Sequence, residues 1–261
     1  MCSSDLRVCG DRVISVNDPE ARHTRKSPEA RRDGYRAHLA AEPQTGIITD
    51  EELTKAAGDE NSDAAVAGQM LARETEAAEV YGDCAYGTGD LRAALAGGGH
   101  TAIIKPKPLK PAVEGGFTLD DFTVNEQAGT VTCPNGTTRR ITARRNVTFG
   151  AACRDCPLRA RCTTNKHGRA LILHQHDSLL RAARRDWHTD PARQDNYRKH
   201  RPNVERAIAQ AATWRGRRLK LRYRGTTRNN AWLKRRTAAV NLRNLIGRGL
   251  ARRDGTWVLA T

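Results

Sequence analysis

The chain has 261 residues, of which 45 are Lys or Arg and 29 are Asp or Glu, and its formal net charge is +16. A chain of this length can bury a core as one domain with an insertion or as two small domains. No stretch reaches the apolar length of a membrane helix, and the N-terminus lacks the layout of a signal peptide, so a soluble intracellular protein is expected.

The positive charge is concentrated towards the C-terminal end. Residues 181–261 hold 22 Lys and Arg against 5 Asp and Glu, whereas residues 1–180 are almost neutral. Such a distribution indicates a polyanionic partner, because each phosphate neutralised by Lys or Arg releases condensed counterions. A solvated basic tail is the alternative. Apolar residues interleave at helical spacing here, so nucleic acid is favoured.

Residues 1–105 alternate between strand-like and helix-like patterns. The predicted elements begin with a strand at 12–16 and a polar connection at 17–34, followed by a hairpin of strands 35–39 and 45–53 with its turn at 42–46. A helix at 61–77 comes next, and Ser62 or Asp63 caps it. A strand at 79–83, a helix at 89–98 and a strand at 101–105 complete this part of the chain. This alternation indicates an α/β fold with a mixed sheet and helices on its faces.

From Pro106 onwards the pattern breaks up, and cysteines appear. Regular helix returns near Pro202, and a last helix is predicted at 231–250. The first helix has Val204, Ile208, Ala211 and Ala212 on one face, and the second places Trp232, Ala239, Leu242 and Ile246 together. We therefore divide the chain into a partial core at 1–105, a cysteine-rich insertion at 106–190 and a basic helical segment at 191–261 that completes the core.

Four cysteines in the insertion have the spacing C-x19-C-x2-C-x5-C; they are Cys133, Cys153, Cys156 and Cys162. A C-x2-C turn presents two thiolates, and two further cysteines complete a tetrahedral site, so a structural zinc ion is predicted. An iron–sulfur cluster uses the same ligands and is the less favoured cofactor. Four reduced thiols without metal are the simpler alternative. Three histidines could replace a cysteine ligand: His167, His174 and His176.

Two acids are candidates for a second metal site. Asp83 follows the strand predicted at 79–83, where functional groups gather in α/β sheets, although an Asp there is more often a turn former. Glu205 is the single acid between Tyr197 and Arg218, and an acid near a helix start is favoured by the helix dipole whatever its function. Together they could hold magnesium for phosphoryl transfer on nucleic acid, which needs carboxylates from different elements.

Seven stretches resemble the catalytic part of DDE-type transposases of bacterial insertion sequences, in the branch with an extra cysteine cluster. In chain order they are "DPEARHTRKS", "DGYRAHLAAEPQTGIIT", "ELTKAAGDENSDAAVA", "GDCAYGTGDLRAAL", "CRDCPLRARC", "YRKHRPNVERAIA" and "RYRGTTRNNAWLKRRTAAVNLRNL". The resemblance covers most of residues 17–246. It implies a ribonuclease-H-like fold and magnesium-dependent cleavage and transfer of DNA strands.

The resemblance also implies roles for single residues. Asp83 corresponds to the family's second acid, Glu205 to its third, and Arg201 to the arginine of its tyrosine–arginine–glutamate signature. The partner is then double-stranded DNA with terminal inverted repeats, in the bacterial cytoplasm at the nucleoid, and a homodimer is one option. The residues expected to contact DNA are Arg201, Arg206, Arg217, Arg218, Arg222 and Arg224.

The chain departs from the family pattern in several places. Tyr197 stands one residue further from Arg201 than usual, Ala212 replaces a common Lys or Arg, and Cys84 follows Asp83. The first catalytic acid and its strand have no counterpart, because none of Asp11, Asp18 and Asp33 has the right neighbours. We therefore expect a chain that lacks its N-terminal part and its first strand, and that binds DNA without cleaving it.

Two other functions remain open. One is a non-enzymatic nucleic-acid-binding protein with a structural zinc site, which accounts for the charge and the cysteines but leaves Asp83 and Glu205 unexplained. The other is a hydrolytic nuclease of the same fold.

Overall fold

The computed structural model describes residues 12–25 and 31–259, which form a mixed α/β protein with several small sheets. The helices are α1 (Asp63–Leu71), α2 (Gly89–Gly97), α3 (Arg159–Cys162), α4 (Asp177–Thr189), α5 (Pro191–Ala212) and α6 (Thr226–Gly247). Within the described ranges, none of the helices has the length and apolar character needed to cross a membrane.

The strands are short apart from the first hairpin. They are β1 (Arg22–Arg25), β2 (Arg31–Ala41), β3 (Ile48–Lys55), β4 (Glu79–Gly82), β5 (Thr101–Ile104), β6 (Thr123–Asn125), β7 (Thr130–Thr132), β8 (Thr138–Arg140), β9 (Asn146–Thr148), β10 (Ala170–Ile172), β11 (Thr213–Trp214), β12 (Arg217–Arg218), β13 (Leu250–Arg253) and β14 (Thr256–Leu259). The chain divides into two compact units. Unit 1 comprises residues 1–86, 94–104 and 191–261, and unit 2 comprises residues 87–93 and 105–190.

Unit 1 contains an antiparallel sheet in the order β1-β2-β3 and the parallel pair β4-β5. The β2–β3 hairpin closes where the Gly46 N–H donates to the Glu42 carbonyl at 2.8 Å, and Gly46 takes a positive φ of 71° that glycine adopts without strain. Helix α5 packs against β2, β4 and β5. These two sheets therefore contact the same helix.

Helix α6 packs along β3 and bonds directly to its backbone. The Asn241 side chain accepts a hydrogen bond from the Ile48 N–H at 2.8 Å and donates one to the Ile48 carbonyl at 2.7 Å. Asn230 accepts another from the Leu53 N–H at 3.2 Å. These amides satisfy strand groups that would otherwise need a strand partner or water.

Unit 2 contains the antiparallel sheet β6-β7-β8 and the pair β9-β10. Its buried apolar cluster consists of Phe122, Val131, Val147, Phe149, Cys153, Cys162, Leu171 and Leu173. Helix α4 is fixed by Arg181, which donates to the buried Asp177 carboxylate at 2.6 Å and to the Phe122 carbonyl at 3.0 Å. The guanidinium thus neutralises a carboxylate whose side chain is only 1% exposed.

Several predicted elements need correction. Residues 12–16 are not a strand, and Val16 is 95% exposed. The connection predicted at 17–34 contains β1 and the start of β2, while residues 26–30 lie outside the described part of the chain. Helix α1 ends at Leu71 rather than near 77, and α5 begins at Pro191, well before Pro202.

The apolar faces read from the sequence are largely not the buried sides of the last two helices. In α5 the buried residues are His200, Ala207 and Ala211, so only Ala211 of the apolar face is buried, and Ile208 is 43% exposed. In α6, Leu242 and Ile246 are 49% and 56% exposed. The buried residues of α6 are Asn229, Leu233, Thr237 and Val240. Polar residues therefore occupy part of the core-facing side of α6.

Candidate functional site

Asp83 is the first residue after β4, and its two carboxylate oxygens have different partners. The Oδ1 atom accepts a hydrogen bond from the Ala85 N–H at 2.8 Å, while the Asp83 carbonyl accepts one from the Tyr86 N–H at 3.1 Å. Asp83 is therefore a turn former, as the alternative interpretation required. The Oδ2 atom points to Arg201, 3.4 Å from its Nη2.

Helix α5 places Tyr197, Arg201 and Glu205 on one side, because residues four apart are neighbours on a helix. Arg201 donates from Nε to Glu205 Oε1 at 3.0 Å and from Nη1 to the Tyr197 hydroxyl at 3.1 Å. Its Nη2 atom lies 2.9 Å from Glu205 Oε1 as well as 3.4 Å from Asp83. The guanidinium of Arg201 therefore lies between the two predicted acids and binds both.

The side chains of Tyr86 and Tyr197 lie beside Arg201 and the two carboxylates. Burial raises the pKa of Tyr86 to about 12, and the nearby carboxylates of Asp63 and Asp83 add to the effect. Burial also raises the pKa of Tyr197. Both hydroxyls therefore stay protonated at neutral pH, so the negative charge of this group comes from the carboxylates alone.

The carboxylates themselves remain open to solvent. The side chains are 42% exposed for Asp83 and 61% for Glu205, against 25% for Arg201. Carboxylate oxygens are the ligands magnesium prefers, so the donor chemistry suits that ion. Among the described residues, however, no third His, Cys, Asp or Glu joins these two in a group that could hold a metal ion.

Two of the three acids considered for a third carboxylate are engaged elsewhere. Asp18 accepts hydrogen bonds from the Tyr35 hydroxyl at 2.5 Å and from the Gly225 N–H at 3.2 Å. Asp33 pairs with the ring of His23. Asp11 lies outside the described residues.

The four cysteines of unit 2 line one cavity of about 20 Å³, together with Phe122 and Phe149. None of the four forms a disulfide, and Cys153 and Cys162 are buried. Burial raises the pKa of Cys162, although Arg169 opposes this shift. Four sulfur donors around a small cavity have the chemistry of a zinc site. The described side chains nevertheless form no ligand group of three or more.

The histidines considered as substitute ligands do not line this cavity. The Nε2 atoms of His174 and His176 lie 3.8 and 3.7 Å from the Asp90 carboxylate. The His174 Nδ1 atom accepts a hydrogen bond from the His176 N–H at 3.0 Å, which leaves its Nε2 to carry the proton. This pairing explains the two histidines without a metal.

The arginines predicted to contact DNA fall into two groups. Arg201 belongs to the carboxylate group described above, whereas Arg206, Arg217, Arg222 and Arg224 are exposed. The side chain of Arg218 lies outside the described part of the structure. Exposed guanidinium groups are free to pair with phosphates, which they can contact with two parallel hydrogen bonds.

Residues 127–246 match a family model described as a transposase DDE domain. The predicted DDE-type transposase is thereby confirmed over this range, whereas the bacterial origin and the branch with a cysteine cluster stay predictions. The matched range includes Arg201, Glu205 and the four cysteines but not Asp83, so the assignment of Asp83 rests on its position and contacts. No curated protein and no solved structure matches the chain.

Sequence reasoning missed Tyr86 as a neighbour of the site. The signal was present in "GDCAYG", because a turn begun by Asp83 returns the chain within three residues. Tyr86 also packs closely against Gly82, since a Cβ atom at position 82 would lie 3.0 Å from the Tyr86 Cβ atom. The contact of Arg201 with both acids has no signal in the sequence, because it depends on where α5 crosses β4.

Proposed function

We propose that the chain is the DNA-processing part of an insertion-sequence transposase of bacterial origin, in which Asp83 and Glu205 are two of the three catalytic carboxylates. The observation that carries this proposal is the convergence of both carboxylates on one guanidinium, although 122 positions separate them in the chain. Two carboxylates that come together repel each other unless a cation or a shared proton compensates their charge. A site of this kind suits an enzyme that handles phosphates in the presence of metal ions.

Asp83 and Glu205 would hold magnesium, which DDE transposases use. When bound, the metal would lower the pKa of a water molecule and stabilise charge on the phosphate under attack. Arg201 compensates the carboxylates when no metal is present. In the loaded state it would turn towards a DNA phosphate, which it could bind through two N–H groups.

The third carboxylate would come from a strand placed between β2 and β4, in a ribonuclease-H-like sheet with helices on both faces. This part of the proposal is supported by the packing of α5 on β2, β4 and β5, although the two sheets do not pair with each other in the described residues. One added strand would join them. Residues 1–105 and 191–261 would then form the catalytic core, and residues 106–190 an insertion.

The cysteines would hold a structural zinc ion in the insertion. The support is chemical: Cys133, Cys153, Cys156 and Cys162 are free thiols around one cavity. Elemental analysis of protein purified under reducing conditions should find about one zinc per chain and no iron. Protein without zinc or iron would make these four residues reduced thiols only.

The exposed arginines would bind the terminal inverted repeats as duplex DNA, at the bacterial nucleoid. The support is the net charge of +16 and the exposure of Arg206, Arg217, Arg222 and Arg224. Two bound ends would require two copies, so a homodimer on DNA is part of the proposal.

The test is a nicking assay on a duplex that carries an inverted repeat, with magnesium present. We expect the 261-residue chain to bind the duplex without cutting it, because the described residues supply two carboxylates where the chemistry needs three. Loss of one ligand or donor in such a site costs about 10²–10³-fold in rate. Glu205→Gln should leave the affinity for the duplex within about twofold, since it changes no phosphate contact.

Nicking by the unmodified chain would contradict the expectation of an incomplete site. If Asp83→Asn then abolished it, Asp83 would be catalytic and Asp11, Asp18 or Asp33 would supply the missing acid. If neither Asp83→Asn nor Glu205→Gln altered it, the carboxylate pair would have no catalytic role. Binding of DNA without cleavage, even after a strand with a third carboxylate is supplied, would favour a non-enzymatic nucleic-acid-binding protein.

A further inference from the structure

A cleft of about 320 Å³ opens in unit 1 between α5, the end of α6 and the turn that joins β2 to β3. Its walls include Arg206 and Gln210 from α5 and Arg243 from α6. Successive residues of a helix are about 100° apart, so Gln210 lies about 140° around α5 from Glu205. The cleft is therefore separate from the carboxylate site.

Three arginines line the cleft, and no described lining residue is acidic. Arg248 is held by the turn, because its Nη2 donates to the Gln44 and Thr45 carbonyls at 3.1 and 2.8 Å. Arg206 and Arg243 are exposed and form no ion pair with the described residues. The charges of Arg206 and Arg243 are thus not compensated by the described part of the chain, whereas Arg248 is near the Glu42 carboxylate, whose pKa it helps to lower.

One residue that lines the cleft also has a buried polar atom without a partner. Gln210 Oε1 is shielded from solvent and has no hydrogen-bond partner among the described residues. The other end of this amide carries two N–H donors, and its nitrogen is not among the shielded atoms without a partner. A ligand rich in acceptor oxygens would therefore suit both the Gln210 amide nitrogen and the arginines.

We propose that this cleft binds a phosphate group of the DNA backbone, at a contact point separate from Asp83 and Glu205. Arg206 and Arg243 pair with the phosphate oxygens, and Gln210 donates its amide N–H to one of them. The turn between β2 and β3 anchors Arg248 as the third positive charge. The inference rests on the proposed function only in taking DNA as the source of the phosphate; a free phosphate ion has the same chemistry.

The experiment has a DNA arm and a phosphate arm, both with the full chain. Fluorescence anisotropy measures the affinity for a labelled duplex without inverted repeats over a series of salt concentrations. Isothermal titration calorimetry measures the binding of inorganic phosphate. The variants are Arg206→Gln with Arg243→Gln, and Gln210→Glu, which places a negative charge in the cleft. The matched control removes two exposed arginines of β8 in unit 2, through Arg139→Gln with Arg140→Gln.

We expect the cleft double variant to lower duplex affinity about tenfold or more and to reduce the slope of log K against log salt by about 2, because two phosphate contacts are lost. Gln210→Glu should lower the affinity for both ligands, while the control changes both by less than the cleft variants do. Thermal melting of each variant shows whether the fold is intact. Comparison of Gln210→Met with Gln210→Glu separates the effect of losing the amide from the effect of the added negative charge.

Equal effects of the cleft variant and the control on both ligands would overturn the proposal. Loss of inorganic phosphate binding with an unchanged duplex slope would overturn DNA as the source and leave a site for free phosphate. A wild-type chain that binds no duplex at all would refute the proposed function instead, and the phosphate arm would still decide whether the cleft binds phosphate.

Discussion

The two units arrange their buried apolar residues differently. Unit 2 has a cluster of large apolar side chains in which the rings of Phe122 and Phe149 lie 5.6 Å apart. Unit 1 also buries apolar side chains on several elements, among them Leu53, Val66 and Leu95, and its cluster beside α5 and α6 is smaller and contains no aromatic ring: Ile48, Ala207, Ala211 and Val240. Around it, asparagine side chains of α6 bond to the backbone of β3.

The candidate site and the cleft both lie in unit 1. Helix α5 bears Arg201 and Glu205 on one side and the cleft residues on another. Unit 2, by contrast, should tolerate loss of polar surface groups but not loss of its aromatic core.

The largest expected effect is in the core of unit 2. Phe149→Ala should destabilise unit 2 by about 3–5 kcal/mol, because it removes a ring that is only 2% exposed and leaves a cavity. Trp187 is the single tryptophan of unit 2, so urea unfolding followed in a variant that keeps only Trp187 reports on that unit. Ile172→Ala, at a 79% exposed position, is the control. An equal loss of stability in unit 1 would contradict the separation of the two cores.

A smaller effect is expected where α6 bonds to β3. Asn241→Ala should destabilise unit 1 by about 2–3 kcal/mol, because it leaves both the N–H and the carbonyl of the buried Ile48 without their partner. Asn244→Ala is the control, since Asn244 donates one longer bond, 3.3 Å, to the Gly46 carbonyl. Urea unfolding monitored by Trp232 measures both. A larger loss from Asn244→Ala than from Asn241→Ala would refute the role of the paired amide.

The smallest effect concerns the start of α6, and it depends on pH. Glu20 accepts a hydrogen bond from the Thr226 N–H at 2.5 Å, and this bond lowers the pKa of Glu20. A lowered folded-state pKa means that the stabilisation is present above the ordinary pKa and is lost as pH falls through the folded-state value. Glu20→Ala should therefore cost about 1 kcal/mol at neutral pH, as for loss of a helix cap.

Thermal unfolding of wild type and Glu20→Ala from pH 7 to pH 3 checks this prediction. The difference between them should shrink as the pH falls below about 4.5, which is the ordinary value of the carboxyl group. Glu74→Ala, at an exposed position, is the control and should show no such dependence. A difference that grows at low pH would contradict the assigned cause.

The sequence predicted the elements that depend on local patterns. The β2–β3 hairpin, the Ser62 cap of α1 and the β4–α2–β5 order are confirmed, because alternation, caps and glycines act over a few residues. The strand at 12–16 was wrong because alternation alone does not provide a pairing strand. The buried side of α6 was not evident from the sequence, because the buried Asn229 and Thr237 look like surface residues in a hydrophobic pattern.

The candidate site could be predicted only in part. Residue type and position relative to strand and helix pointed to Asp83 and Glu205, and their catalytic role stays a prediction. The sequence could not place Arg201 between them, because that contact depends on the packing of α5 against β4. The cleft at Gln210 was also missed, since its walls come from three distant segments.

The most direct test of the account is the binding of Mn²⁺ as a substitute for magnesium, measured by electron paramagnetic resonance on the metal-free chain. We propose that Asp83 and Glu205 form one cation site, and that the Arg201 guanidinium occupies it when no metal is present. Asp83→Asn and Glu205→Gln should each abolish the site. Arg201→Gln should bind Mn²⁺ more tightly than wild type, because the competing guanidinium is gone.

Arg198→Gln is the control, because it removes a positive charge from the same helix at a residue that pairs with Asp195 instead. It should leave the affinity for Mn²⁺ close to that of wild type. Equal Mn²⁺ binding by wild type, Asp83→Asn and Glu205→Gln would contradict the claim that these two carboxylates share a cation.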